Sequence, residues 1–195
     1  MISQASYLLL IQCLAKLKPM DPSTAIALRP YLQEQTLRRG EHLLYKGAVH
    51  SMLLFVISGS VREAAIHPLT SKEETTWMWF SGDFVYTKPG FFSQQPAESR
   101  VEAMEDCMLV SIGYKEFVEL SKDRADFNPL FELVRDHYHR ALKRHALDLV
   151  ALSNQQRFDL FILAHPTALL VLNHQYIASF LGIRDKGLDR YSGKR

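Results

Sequence analysis

The sequence predicts an α+β fold: an N-terminal double-stranded β-helix (jelly roll) with flanking helices, one long helix, and a C-terminal helix-turn-helix. Three observations predict it. Between Leu37 and Gly113, short runs of β-formers alternate with glycine and turn residues at near-regular spacing, as in an all-β sandwich or barrel. After Gly113 the hydrophobic period turns helical. Near the end, Gly182 falls four residues after the small Ala178 within an apolar run, the pattern of two closely crossing helices.

The elements follow in order. Residues 3–17 carry apolar positions at helical spacing, and Pro19 stops that helix. A second short helix is expected over residues 23–33, with Pro22 at its start. Strands are expected over residues 52–57, 61–66, 75–80, 101–103 and 108–112, punctuated by Gly40, Gly47, Gly59 and Gly82. Residues 115–120 read as a short helix, and Pro129 is placed to open a long one running to about residue 153. Within it Tyr138, Leu142, His145, Leu149 and Leu152 advance by 4, 3, 4 and 3, an a/d seam that predicts a homodimer interface. A helix around residues 156–164 precedes Pro166. The division expected is a sensor unit over residues 1–153, including the long dimerisation helix, and a helix-turn-helix unit over 154–195.

In that last unit the run 175–183 places Ala178 where helices cross and Gly182 at the turn, where a positive φ is often needed. Ile177, Leu181, Ile183 and Leu188 supply the buried contacts. A second helix from Asp185 to about Ser192 would then present Lys186 and Arg190 to a DNA groove. The alternative is a plain helical hairpin with a glycine cap. Charge weighs against the hairpin: the chain nets +2, whereas residues 184–195 alone net +3. Arg184, Lys186, Arg190, Lys194 and Arg195 are the candidate DNA contacts.

Other functions are disfavoured. Cys13 and Cys107 have no metal-ligand spacing, so neither a cluster nor a bound metal is expected. The apolar run 7–15 is too short to span a bilayer and follows no basic residue, so a cytoplasmic chain with no membrane partner is expected. No nucleophile elbow, zinc-protease or phosphate-loop motif is present; no catalytic residue and no cofactor are assigned. A cupin-type enzyme would need a tight histidine cluster, and His42, His50 and His67 do not supply one. His137 and His139 face different sides of the long helix and read as solvated or interface groups. Trp77, Trp79, Phe80 and Phe84 read as core and rim of the β-roll.

Several blocks, in order, carry a family resemblance. Residues 38–41 through Gly47, then 54–61, then Gly82-Asp83-Phe84, then 114–117, and finally 176–183 with Leu188 and Arg190 resemble the Crp/Fnr (catabolite activator) regulators across almost the whole chain. The ending, without a wing hairpin, is similar to the shorter branch of that family. The resemblance implies a cyclic-nucleotide-binding-like sensor domain, a homodimer, a pseudo-palindromic DNA site and regulation of transcription. It also implies where an effector would sit, around Tyr86, Thr87, Phe91, Phe92, Glu98 and Arg100. Counted without gaps from Gly82, the ribose-binding Gly-Glu of the cyclic-AMP-binding members becomes Tyr86-Thr87, and their phosphate-binding Arg-Ser becomes Ala97-Glu98. A carboxylate there would repel a phosphate, so dependence on cyclic AMP is not expected and any small-molecule effector is unknown. The reading-helix segment also departs, with Gly187 and Asp189 weakening helix and phosphate contact. The competing reading is a degenerate sensor or interaction protein that has lost DNA binding.

Overall fold

The computed structural model describes residues 2–183, 188 and 191. Helix α1 (Gln4–Leu17) is capped by Ser3, whose hydroxyl accepts from the Ser6 amide, and buries Tyr7, Leu10 and Leu14. Helix α2 (Pro22–Leu28) is capped by Asp21, with Pro22 at its first position, where no N–H is needed. The helix expected over 23–33 therefore ends early. Pro30 falls in a single 3-10 turn, Arg29–Tyr31, and Gln33 already belongs to a strand.

Eight strands follow: β1 (Gln33–Leu37), β2 (His42–Leu44), β3 (Met52–Ser58), β4 (Ser60–Ile66), β5 (Glu73–Phe80), β6 (Phe84–Val85), β7 (Arg100–Ala103) and β8 (Cys107–Gly113). They form two antiparallel four-stranded sheets, ordered β1-β8-β3-β6 and β2-β7-β4-β5. The chain passes from one sheet to the other at Gly59, between β3 and β4. Its φ of +86° suits glycine, and a Cβ there would lie 2.6 Å from the Asp106 carbonyl oxygen. Leu53, Phe55, Val61, Trp79, Val101, Leu109 and Val110 fill the roll.

Helix α3 (Tyr114–Asp123) closes the roll with Phe117 and Leu120. Helix α4 runs over Phe127–Ala151, two residues ahead of the expected start and with Leu152 just beyond its end. Three shorter helices complete the chain: α5 (Asn154–Ala164), α6 (Ala168–Val171) and α7 (His174–Phe180). A capping box of Ser153 and Gln156 starts α5. A second apolar cluster joins Phe158, Phe161, Ile162, Ala168, Ile177, Ala178, Leu181, Ile183 and Leu188 to Met78 and Met104 of the roll. Met78 and Met104 thus pack across the boundary expected at residue 153.

The seam on α4 turns inward. Tyr138 is 7% exposed and lies over Trp79, centroids 6.1 Å apart, with Trp77 edge-on at 5.4 Å. Leu142 packs against the same core. His145 stacks on Phe180 of α7 at 4.1 Å. Leu149 approaches Gly182, and Leu152 is a cap residue whose carbonyl is taken by Arg157. Of the 4-3-4-3 seam, Tyr138, Leu142 and His145 pack against their own chain, while Leu149 is 38% exposed. Removing a buried aromatic ring costs about 3–5 kcal/mol. Tyr138→Ala should therefore lower the unfolding free energy by about 3 kcal/mol in urea titration and leave the molecular mass in light scattering unchanged.

Candidate functional site

Four of the six expected effector-pocket residues come together. Tyr86, Thr87 and Phe91 are buried and Phe92 half-buried. Tyr86 and Phe92 meet edge-to-face at 5.0 Å, and Phe91 and Phe92 at 5.2 Å. With Lys88, Gly90, Ser93, Arg135 and His139, the residues Tyr86, Thr87 and Phe92 line a cleft of only about 120 Å³, below the usual size of a ligand pocket. The Tyr86 hydroxyl donates to the Arg135 carbonyl, which ties the segment to α4.

The other two lie elsewhere. Glu98 is exposed. Arg100 sits at the sheet surface, donating from Nε to Glu73 at 2.8 Å and pairing with Glu102. Ala97, at the position where the resemblance places a phosphate-binding arginine, is 3% exposed and bridges the backbone of Ala48 and Gly47. Sequence reasoning missed the group that does point toward the aromatic cluster. Glu63 accepts hydrogen bonds from the hydroxyls of Ser99 and Thr76, and its charge acts on Tyr138. Burial pushes its carboxyl above the ordinary carboxylate range, against those two hydrogen bonds. An anionic ligand there would meet a desolvated carboxyl.

On the outer face of the second sheet a different constellation forms. Arg62 is 2% exposed. Its Nε donates to Glu102 at 2.7 Å, Nη1 to Thr75 at 3.0 Å and Nη2 to Glu73 at 2.7 Å. The guanidinium carbon stands 3.4 Å from the ring centroid of Tyr176 on α7. Beside it the Thr75 amide donates to Ser179 Oγ at 2.8 Å, and Ser179 donates to Glu74 at 2.5 Å. Helix α7 is thereby docked on β5. A cleft of about 860 Å³ between them is lined by Arg62, Lys72, Glu74, Gln175 and Tyr176.

Beyond α7 the chain turns at Gly182, φ +62°. Ile183 N–H donates to Ala178 and Gly182 N–H to Ser179, the paired bonds of a Schellman cap. A Cβ on Gly182 would lie 3.1 Å from Leu149 of α4, so the residue satisfies both a backbone and a packing demand. The expected inward residues Ile177, Ala178, Leu181, Ile183 and Leu188 are all buried. Arg184, Lys186, Arg190, Lys194 and Arg195 lie outside the described residues.

The family profile of the cyclic nucleotide-binding domain matches residues 34–124, which span β1 to α3. Residues 34–124 are thus similar to a cyclic nucleotide-binding domain. No curated protein sequence matches the chain. Among solved structures, FixK2 from Bradyrhizobium japonicum is similar at 15% identity, covering 84% of this chain and 83% of that one, with a TM-score of 0.70. A chain of the Crp/Fnr family from Eubacterium rectale aligns at 18% identity over 88% and 82%, TM-score 0.68. The c-di-GMP-responsive global regulator CLP of Xanthomonas campestris aligns at 19% identity over 89% and 91%, TM-score 0.66. The chain therefore has the fold of Crp/Fnr regulators, with helices packed on a cyclic nucleotide-binding domain. Among its described residues no helix is long and apolar enough to cross a membrane.

The burial of Glu63 gives this domain a pH signature. Below the ordinary carboxylate value the group is protonated both folded and unfolded, and contributes nothing to the pH dependence. Above it the unfolded chain ionises while the folded site resists, so stability is lost until the raised folded pKa is passed. Glu63→Gln keeps an acceptor for one of the two hydroxyls, offers the other an amide donor that it can accept, and removes that cost. Its melting temperature should match the parent at about pH 4 and exceed it at about pH 8.

Proposed function

We propose that this chain is a DNA-binding transcription regulator of the Crp/Fnr type that acts as a homodimer without depending on cyclic AMP or cyclic GMP. The observation that carries the proposal is α7 with its Gly182 cap, holding Ile177, Ala178, Leu181, Ile183 and Leu188 in one core directly behind a cyclic nucleotide-binding domain. That arrangement ends where the most basic stretch of the chain begins. Arg184, Lys186, Arg190, Lys194 and Arg195 would then form the DNA-facing surface, and two copies would read the halves of a pseudo-palindromic site. Arg190 suits a bidentate contact to a guanine edge; Lys186, Lys194 and Arg195 suit phosphates.

The dimer would use the face of α4 that the chain leaves open. Leu147 and Val150 are 55% and 89% exposed on the helix turn nearest the C-terminal helices, with Arg140 and Lys143 continuing the same side. Signal transfer follows from the docking of α7 on β5. An effector that moves the sheet around Arg62 and Trp77 shifts the population of docked and released α7, and with it the spacing of the two reading elements.

Two measurements test the reading. Selection from random duplexes should enrich a palindromic site. At that site Arg190→Ala loses discrimination at one base pair per half-site, about 1–3 kcal/mol, while Lys194→Ala weakens every sequence alike and flattens the salt dependence. No enriched site, with binding equal to that of a chain lacking residues 184–195, would instead mark an interaction-only sensor. Separately, calorimetry with cyclic AMP and cyclic GMP should show no saturable heat at micromolar concentration, because Ala97 and Glu98 offer no phosphate cradle. A low-micromolar dissociation constant would overturn that half of the proposal.

A further inference from the structure

A second cavity lies between α1, the turn joining β5 to β6, and α4, sharing only Tyr86 with the smaller cleft described above. Its volume is about 450 Å³, within the range of small-molecule sites. Trp77, Trp79, Phe84, Tyr86 and Tyr138 wall it. Five rings around one space favour a flat, polarisable occupant, and ring faces also attract a cation. The polar groups are few and specific. Asp83 accepts the Phe80 amide on Oδ2 at 2.8 Å, the one hydrogen bond of its carboxylate among the described residues. Burial holds its carboxyl above the ordinary range. Trp79 Nε1 is buried with no partner. Lys16 and His137 stand at the rim, on the α1 and α4 sides.

The wall is also a linkage. Trp77 faces the cavity and meets Phe180 of α7 edge-on at 5.8 Å and His145 at 5.7 Å. His145 and Phe180 are themselves stacked at 4.1 Å. A ligand cannot settle against Trp77 without loading the contact that docks α7.

We propose that this cavity binds a flat aromatic cation, a protonated amino-substituted nitrogen heterocycle, with its ring against Trp77 and Tyr138 and an N–H edge facing Asp83. The site names the effector chemistry of the regulator reading above, and in that respect rests on it. Asp83 gains the donor it lacks, and the cation lies among ring faces in a desolvated space. An anionic aromatic would bring its charge onto Asp83.

The protein carries its own reporter: its two tryptophans are Trp77 and Trp79, and both wall the cavity. Aminoacridine is titrated into the full-length protein in the absence of DNA, with acridine carboxylate as the isosteric anion, following tryptophan fluorescence and calorimetric heat. Saturable quenching by aminoacridine, at least tenfold tighter than by the carboxylate, is expected. Ala141→Phe, which fills the cavity from α4, should abolish the quenching. Asp83→Asn keeps the acceptor for the Phe80 amide and should reduce the preference for the amine to less than about threefold. Both variants are scored only after their thermal unfolding shows a folded chain. Non-saturable quenching, equal affinity for the two acridines, or unchanged binding in folded Ala141→Phe would overturn the proposal. DNA takes no part in the measurement, so failure of the duplex selection and failure of this site are distinguishable.

Discussion

One guanidinium sets the relation between the two halves of this molecule. Arg62 is removed from water on a sheet face where an uncompensated charge would be expensive, and it is tolerated because Glu102, Glu73 and Thr75 take its N–H groups. The same planar group offers its face to Tyr176. Lysine could hold one or two of these partners but not the carboxylate fork and the ring together. Once Tyr176 is fixed, Ser179 reaches the β5 edge, Phe180 reaches His145, and Gly182 is brought against α4. The position of α7 follows from a charge that the roll cannot leave unpaired.

The β-roll has the fold of a cyclic nucleotide-binding domain and a different chemistry at the expected phosphate positions. Where a phosphate would need a buried cation, the chain has a buried alanine and a carboxylate turned to solvent. Deeper in, Glu63 adds a desolvated acid, and Tyr138 and Trp77 occupy space between the sheet and α4. These substitutions reinforce each other. Each makes the interior less hospitable to an anion and more aromatic, and burial raises the hydroxyl pKa of both Tyr86 and Tyr138 well above that of a free phenol.

The sequence made the glycine turns, the long strands and the helix of the C-terminal pair visible, because each obeys a local rule. Gly182 had to adopt a positive φ, and Ile177, Leu181 and Ile183 had to be inward whichever way the helices crossed. β1, with its run Gln-Glu-Gln-Thr-Leu, carries no apolar alternation, and its residues are exposed or half-buried on both faces. β6 is two residues long and defined only by pairing with β3. The seam on α4 was legible as a buried stripe, yet periodicity states which face is covered and not what covers it. Tyr138, Leu142 and His145 are covered by the chain itself. Arg62, Glu63 and Arg157 gave no signal, because a buried charge is recognisable only once its partners, distant in sequence, are in place.

Arg157 has a consequence of its own. It is 8% exposed, and its guanidinium donates to the carbonyls of Leu149 and Leu152 at the end of α4 and Leu181 at the end of α7, and to the Asn154 side chain. These carbonyls sit at or beside helix ends, where backbone acceptors run short of intrahelical donors. One side chain therefore holds the ends of two helices, and neither end can fray without exposing the other's unpaired acceptor. Partial opening of the C-terminal helices is disfavoured relative to opening them together with the last turn of α4. Amide protons in those segments would exchange with solvent in a single concerted event, so the short helices borrow their lifetime from the long one.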